Sequence, residues 1–262
     1  MLHNKQSVIT IFFLLFLLPI TAVTKAQTAE ALIQEGDKYT EDFNNQKALD
    51  SYLKADKLSP DNWKILWRIS RAYVNIAVHM PSTNGDEEDA QLAVYEKALD
   101  YANRAVKLAK DQSIVYVRRA IVNGRIALFK GVFTVGGVVN KVREDCEKAI
   151  RLNNGDTYTM ALAHYVLGRT HAKVSEKWAP ARAVLGLGWA DKDTALVELK
   201  KAVDMYPNFR MFYLELGKAY LEDDDYSKAK FYFNKVIETP KKDQDDDQVL
   251  AEAKQLLNDL ND

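Results

Sequence analysis

Two hydrophobic patterns divide the chain. From Val8 to Ile20 the residues are apolar almost without interruption, whereas from Gln27 onward apolar and small residues recur at fixed spacings among charged ones, as in amphipathic helices. Within that second region Gly36, Tyr39, Ala48, Tyr52, Ala55 and Pro60 fall at offsets 0, 3, 12, 16, 19 and 24. Gly217, Tyr220, Ala229 and Phe233 return to offsets 0, 3, 12 and 16, with Val236 and Pro240 following. The residue types predict a pair of antiparallel helices. Gly36 and Ala48 let the two backbones approach, Tyr39 and Tyr52 fill the space around that contact, and Pro60 ends the second helix because it cannot continue one. A single pair cannot bury its apolar stripe alone, so at least three must stack.

This is the spacing of a tetratricopeptide unit, and it persists through the middle of the chain with its halves pulled apart. Ile69, Ser70 and Tyr73 match a first helix, and Ala98, Ala102 and Ala105 a second. Tyr73 and Ala98 stand 25 residues apart against 9 in the intact unit, so sixteen are inserted. A third unit begins at Tyr116 and Ala120 and resumes at Cys146 and Ala149 with ten extra residues. A fourth begins at Leu167 and Gly168 and resumes at Ala195, Leu199, Ala202 and Pro207 with fifteen extra. Every insertion falls at the turn between paired helices, where it either emerges along one edge of the array or lengthens the helices. Asp246 to Leu260 reads as a closing amphipathic helix with Val249, Ala253, Leu256, Leu257 and Leu260 inward. The predicted fold is all-α, a tetratricopeptide-like right-handed α-solenoid of about five helix pairs. Its units span 29–62, 63–112, 113–155, 161–209 and 210–242, with a capping helix over 244–260.

The apolar leader bears on location. Residues 1–26 carry His3 and Lys5 before the apolar run, no acidic residue, and Thr24-Lys25-Ala26 before Gln27, which is the pattern of a secretory signal peptide cleaved after Ala26. As a membrane anchor the run would span only roughly 20 Å of about 30 Å of hydrocarbon, and Pro19 interrupts its end. The single cysteine, Cys146, lies far from the cleavage point. That excludes a lipid at a new N-terminus, an intramolecular disulfide and a cysteine-based zinc site. The expectation is an exported protein of the periplasm or cell envelope, soluble once cleaved. A net charge of -1 argues against a dedicated nucleic-acid binder, and 11 Gly with 6 Pro are too few for a turn-rich β-sandwich. The charge is nevertheless uneven. Residues 104–151 hold 11 basic and 4 acidic groups, while 27–60 hold 4 and 7 and 238–262 hold 3 and 8. A basic middle between acidic ends can steer an acidic partner or favour self-association.

The fourth and fifth units carry a more specific likeness. His164-Tyr165-Val166-Leu167-Gly168-Arg169-Thr170-His171, then Trp178 and the apolar stretch to Leu187, the helix from Asp193 to Pro207, Tyr213 to Tyr220, and Thr239-Pro240-Lys241-Lys242-Asp243 together resemble the regulator of microtubule dynamics family. The resemblance covers about Ala29 to Leu260 and implies a divergent tetratricopeptide fold. Animal members act at cytosolic membranes and the cytoskeleton, whereas the leader here implies export, so the fold carries over and the named activity does not.

Candidate chemistry lies in two places. First-helix positions line the concave face of such an array. One step after and three steps before the close-contact residue stand Arg71, Arg169 and Lys218 beside Trp67, Val117 and Tyr165. Cations beside aromatic and aliphatic surface suit a protein or peptide segment with an acidic side chain or free carboxylate. The alternative is that these groups pack and pair within the array. The insertions form the second candidate through Phe133, Trp178, Leu185 and Trp189, which either fold back or present an apolar patch to a protein or a membrane surface. No cofactor, metal site or nucleic-acid partner is expected. His164 and His171 are too far apart along a helix, roughly 10 Å, to share a metal, and Cys146 occupies an inward position. A non-catalytic adaptor is the leading expectation, ahead of an envelope assembly factor and of a hydrolase or ligand-binding protein with its site in the insertions.

Overall fold

The computed structural model describes residues 28–131 and 136–261. Residues 1–26 and Phe133 therefore lie outside the described residues. Among those described, twelve helices form in order: α1 (Ala29–Glu41), α2 (Asn45–Leu58), α3 (Trp63–Val78), α4 (Gly85–Leu108), α5 (Ser113–Lys130), α6 (Gly136–Leu152), α7 (Thr157–Ser175), α8 (Ala179–Val184), α9 (Lys192–Met205), α10 (Arg210–Leu221), α11 (Tyr226–Glu238) and α12 (Asp246–Asp259). The pairs α1/α2, α3/α4, α5/α6, α7/α9 and α10/α11 stack in sequence, and α12 caps the last.

Local chemistry sets the boundaries. The side chains of Thr28, Asn44, Asn62, Asn84, Asp156, Asp191 and Asp225 each accept a hydrogen bond from a backbone N–H in the first turn of the helix that follows. These bonds satisfy donors that have no partner within the helix. Within each pair the small residue predicted at the crossing is where the helices touch. A Cβ on Gly217 would lie 2.6 Å from Phe233 Cε1, and one on Gly168 would lie 2.8 Å from the Leu199 backbone nitrogen. Ser70 and Ala120 hold the same position in the second and third pairs, fully buried.

The insertions are used differently. The first two lengthen helices, giving α4 24 residues and α5 and α6 18 and 17. The third makes α8 and folds back. Leu187 is fully buried with Ala127, Val139, Val174 and Ala190, and Leu185 and Trp189 pack against that cluster. Trp189 Nε1 donates to Asn140 Oδ1 at 2.7 Å, its ring lies edge-on to His171 at 4.9 Å, and the Arg143 guanidinium stands 4.7 Å from its centroid. Trp178 and Val184 stay outside, 74% and 87% exposed.

The array curls until its end meets its beginning. Asn45 Nδ2 donates to Gln244 Oε1 at 2.9 Å, and His79 Nε2 and Asp245 Oδ1 are 2.8 Å apart. The lead-in to α12 that makes these contacts is itself held in shape. Buried Arg210 donates to the carbonyls of Thr239 and Asp246, and the Asp246 carboxylate accepts from the backbone N–H groups of Lys242 and Asp243.

Candidate functional site

The curl encloses a chamber of about 560 Å³ on the concave face, with walls from all five pairs and from the lead-in to α12. Its lining is mainly apolar, including Val74, Ile121, Leu162, Val166, Phe209 and Met211. Arg71, Arg118, Arg125, Arg169, Lys173 and Lys242 supply cations, and the acidic groups Asp243, Asp245 and Asp246 lie at the mouth where the two ends meet. Phe43 stands at the same rim, 41% exposed, with a φ of 57° that costs a side-chain-bearing residue about 1–2 kcal/mol. Gly124 on α5 also faces the chamber, and a Cβ there would meet nothing within 4 Å. A shallower cleft, holding Trp63 and Trp67, adjoins it and shares Arg71, Arg118 and Tyr158.

The structure redistributes the residues predicted for this face. Arg71, Tyr165 and Arg169 line the chamber. Trp67 lies in the adjoining cleft, with the guanidinium carbons of Arg68, Arg71 and Arg118 at 4.3, 5.1 and 5.4 Å from its ring centroid. Val117 is a correction. It is fully buried in the core because α5 is enclosed by α3, α4, α6 and α7, so it presents no surface. Lys218 is a second correction. Its Nζ is drawn to Glu252 of α12 at 2.8 Å and to Glu215 at 3.4 Å, outside the chamber. Of the insertion residues, Trp189 and Leu185 pack inward and Trp178 faces solvent.

Three of the six chamber cations, Arg71, Arg169 and Lys173, are already in ion pairs. Arg68 grips Asp37 through Nε and Nη2 at 2.9–3.0 Å, and Arg71 Nη2 reaches the same carboxylate at 3.2 Å and the Tyr52 hydroxyl at 3.0 Å. Burial opposes ionisation of Asp37, but hydrogen bonds from Arg68 and Tyr52 outweigh it and hold its pKa below the usual value. Arg169 pairs with Glu215 at 3.2 Å, and the Tyr165 ring packs at a tilt on Phe212, 4.9 Å between centroids. Arg125, Lys242 and Arg118 have no carboxylate within ion-pair distance among the described residues, and Arg118 Nε is buried without a hydrogen-bond partner. Burial, then repulsion from Arg71, pulls its pKa down to about 10.

His164, His171 and Cys146 are engaged in pairing and packing. His164 Nδ1 sits 2.5 Å from Glu198, which Lys201 also pairs. His171 accepts the Asp191 backbone N–H through Nδ1, and burial lowers its pKa, so the ring is a neutral clip for the third insertion. Cys146 is fully buried, and burial with Asp145 and Glu147 nearby pushes its thiol pKa far up, away from a nucleophilic thiolate. Among the described residues no three metal-binding side chains converge, and no helix is long and apolar enough to cross a membrane.

Known proteins share this architecture. Residues 32–261 match the family described as Regulator of microtubule dynamics protein 1-3. The chain belongs to this family. Regulator of microtubule dynamics protein 1 of Mus musculus is 30% identical over 237 residues, 88% of this chain and 74% of that protein. Its Bos taurus counterpart is 28% identical over 249 residues, 93% of this chain and 75% of that protein. Among solved structures, a thermophilic tetratricopeptide protein of Thermus thermophilus superposes with a TM-score of 0.60 at 18% identity, covering 87% of this chain and all of that one. PilF of Pseudomonas aeruginosa superposes at 0.53 with 12% identity, covering 88% and 91%. These likenesses establish a tetratricopeptide solenoid for this regulator of microtubule dynamics family member, and its concave chamber is the feature to which a function must answer.

Proposed function

We propose that the chain is a non-catalytic adaptor that holds a segment of another protein in the chamber, and that it does so in the cell envelope after loss of residues 1–26. One observation carries the reading. All five units converge on a single cavity of about 560 Å³ whose apolar walls carry cations, while the histidines and the cysteine are consumed by packing and pairing. A mostly apolar cavity with a few convergent polar groups is the ordinary form of a binding site, and a cationic lining favours a segment bearing carboxylates. The exposed face of α8, with Trp178 and Val184, is a second contact for a larger partner.

Gly124→Phe tests the chamber without altering charge. It projects a ring into space where even a Cβ meets nothing. Partners crosslinked to the unmodified chain in the envelope should be lost from this variant while its helical content and melting temperature are retained. Retention of every partner would sink the chamber reading. Cell fractionation with N-terminal sequencing checks the location, and a mature chain that begins at Met1 or stays in the cytosol would overturn it.

A further inference from the structure

The mouth of the chamber is shut by contacts that a single proton can make or break. It has two lips. One is built from Glu41 and Phe43, where α1 turns into α2, and from Asn75 and His79 at the end of α3; the other is the lead-in from Lys242 to Asp246. Among the described residues two side-chain hydrogen bonds cross between them, Asn45 with Gln244 and His79 with Asp245. The apolar cluster behind the first lip, with Val74 and Ala77, shares no residue with the one behind the second, with Leu214 and Val249, so the closure is polar. Each lip is firm on its own side. Asn75 Nδ2 donates to Asn45 Oδ1 at 3.2 Å across the first, while Arg210 and the Asp246 carboxylate hold the second. The lips can therefore part as two rigid pieces.

His79 sets the condition for closure. Its Nδ1 lies 2.7 Å from the Asn75 carbonyl oxygen and its Nε2 2.8 Å from Asp245 Oδ1. A carbonyl oxygen and an ionised carboxylate can only accept, so both contacts are made together only when both ring nitrogens carry hydrogen, as in the imidazolium. A neutral ring sets a lone pair against an oxygen at one of the two. The Asn75 contact joins residues one helical turn apart and cannot be relieved by separation, whereas the Asp245 contact spans the mouth and can. The surrounding charges act in the same sense. Burial works against the charged ring, but the Asn75 carbonyl, Asp245 and Asp243 outweigh it and raise its pKa. Asp246 is turned to the N–H groups of Lys242 and Asp243, Lys242 Nζ is turned to the Tyr206 hydroxyl at 3.2 Å, and Asn45 is uncharged. Glu41 adds a carboxylate at the opposite rim. Once the ring is neutral, the mouth has carboxylates on both lips and, among the described residues, no ion pair across it.

We propose that the contact between His79 and Asp245 is a proton-operated gate of the chamber, shut while the ring is charged and parted when it is neutral. The gate goes beyond the adaptor reading, since it concerns access and holds whatever the chamber takes up. Its central contact is a partly exposed ion pair, and such a pair biases an equilibrium by about two- to fivefold. The chamber then keeps its contents as the surroundings acidify and exchanges them as pH rises through the folded pKa of His79.

Spin labels on Asp42→Cys and Lys241→Cys, both exposed positions flanking the mouth, read its width by pulsed electron paramagnetic resonance in a Cys146→Ala chain. At pH 5.5 a short distance should dominate, and by pH 8.5 the population at a longer one should rise about two- to fivefold. His79→Gln should show the pH 8.5 distribution at both values, and His79→Arg, which stays charged, should keep the short distance at pH 8.5. Access is read separately through Gly124→Cys, which lines the chamber, as its rate of maleimide labelling relative to that of the exposed Val184→Cys. Taking the ratio cancels the titration of the thiol itself. That ratio should rise with pH in the parent background and stay low with His79→Arg. Equal widths at the two pH values, a pH response that survives His79→Gln, or a labelling ratio that does not follow the width would each overturn the proposal.

Discussion

Replacing Gly168 by alanine tests whether the crossing of α7 and α9 is set by backbone contact. The added Cβ would lie 2.8 Å from Leu199 N and Cγ and 3.0 Å from the Ala195 carbonyl oxygen. Carbon atoms pack at about 3.5–4.0 Å, and two of these neighbours are main-chain atoms of α9 that cannot swing aside. The helix must withdraw by about half an ångström, and overpacking of this sort costs about 1–3 kcal/mol. Alanine returns about 0.5–1 kcal/mol through its better helix propensity. The net expectation is a loss of about 0–2.5 kcal/mol, and a chain of this size loses about 2–4 °C in melting temperature per kcal/mol. Gly124→Ala is the matched control, because no atom lies within 4 Å of its Cβ and only the propensity gain remains, about 1–4 °C upward. Thermal unfolding by circular dichroism at 222 nm reads both. If Gly168→Ala gains as much melting temperature as Gly124→Ala, close approach at residue 168 does not set the crossing.

Other expectations follow from pairs and clips in the same array. Asp145 is buried and held at 2.7 Å by both Nε and Nη2 of Arg119, so Asp145→Ala leaves a partly buried cation unpaired and should cost about 3–5 kcal/mol in urea unfolding, against almost none for Lys200→Ala on the surface. Trp189→Ser should destabilise the chain by at least about 2 kcal/mol while Trp178→Ser leaves stability unchanged, since the first ring is clamped by Asn140, His171 and Arg143 and the second faces water. The two structural histidines should act in opposite directions with pH. His171 has its pKa lowered from 6.5, chiefly by burial, so the unfolded chain takes up a proton before the folded one. Its contribution is full above 6.5 and is lost as pH falls through the window below, a slope that His171→Asn should remove. His79 has its pKa raised, the bonds to the Asn75 carbonyl and Asp245 outweighing burial, with Asp243 adding to the pull. Its contribution is full below 6.5 and is lost as pH rises through the folded value, so the melting-temperature gap between the parent and His79→Gln should narrow from pH 5.5 to 8.5.

The fold was legible because the repeat chemistry is stringent where helices cross. Gly36 with Tyr52, Gly168 with Leu199 and Gly217 with Phe233 can be read from spacing alone, and those contacts fix the pairs. The destiny of the insertions was only half legible. Length says where extra residues enter, but whether they extend α4, α5 and α6 or fold back as α8 depends on packing partners such as Val139 and Asn140 from a different unit. The site was harder still. Counting one step after and three steps before each crossing captured Arg71, Tyr165 and Arg169, yet the second rule picked Val117 and passed over Arg118 one residue later. A usable signal was present in the opposite charges that pair between successive units, Asp37 with Arg68 and Arg71 and Arg169 with Glu215, which leave Arg118 unmatched. The excess of basic residues over 104–151, which includes Arg118 and Arg125, pointed to the same place without resolving it.

The contacts of Asn45 and His79 with Gln244 and Asp245 alter what kind of polymer this is. A linear stack of repeats is held by nearest-neighbour interfaces, so it frays from either end and each end reports only on itself. Joining the first two pairs to the lead-in of the cap couples residues 199 positions apart in sequence and makes the terminal units each other's neighbours. Fraying at one end then exposes the other, and unfolding becomes more cooperative than in an open array of the same length. Late closure also follows. A contact of that sequence separation forms only after the intervening units have assembled, so the chamber is the last part of the molecule to exist during folding.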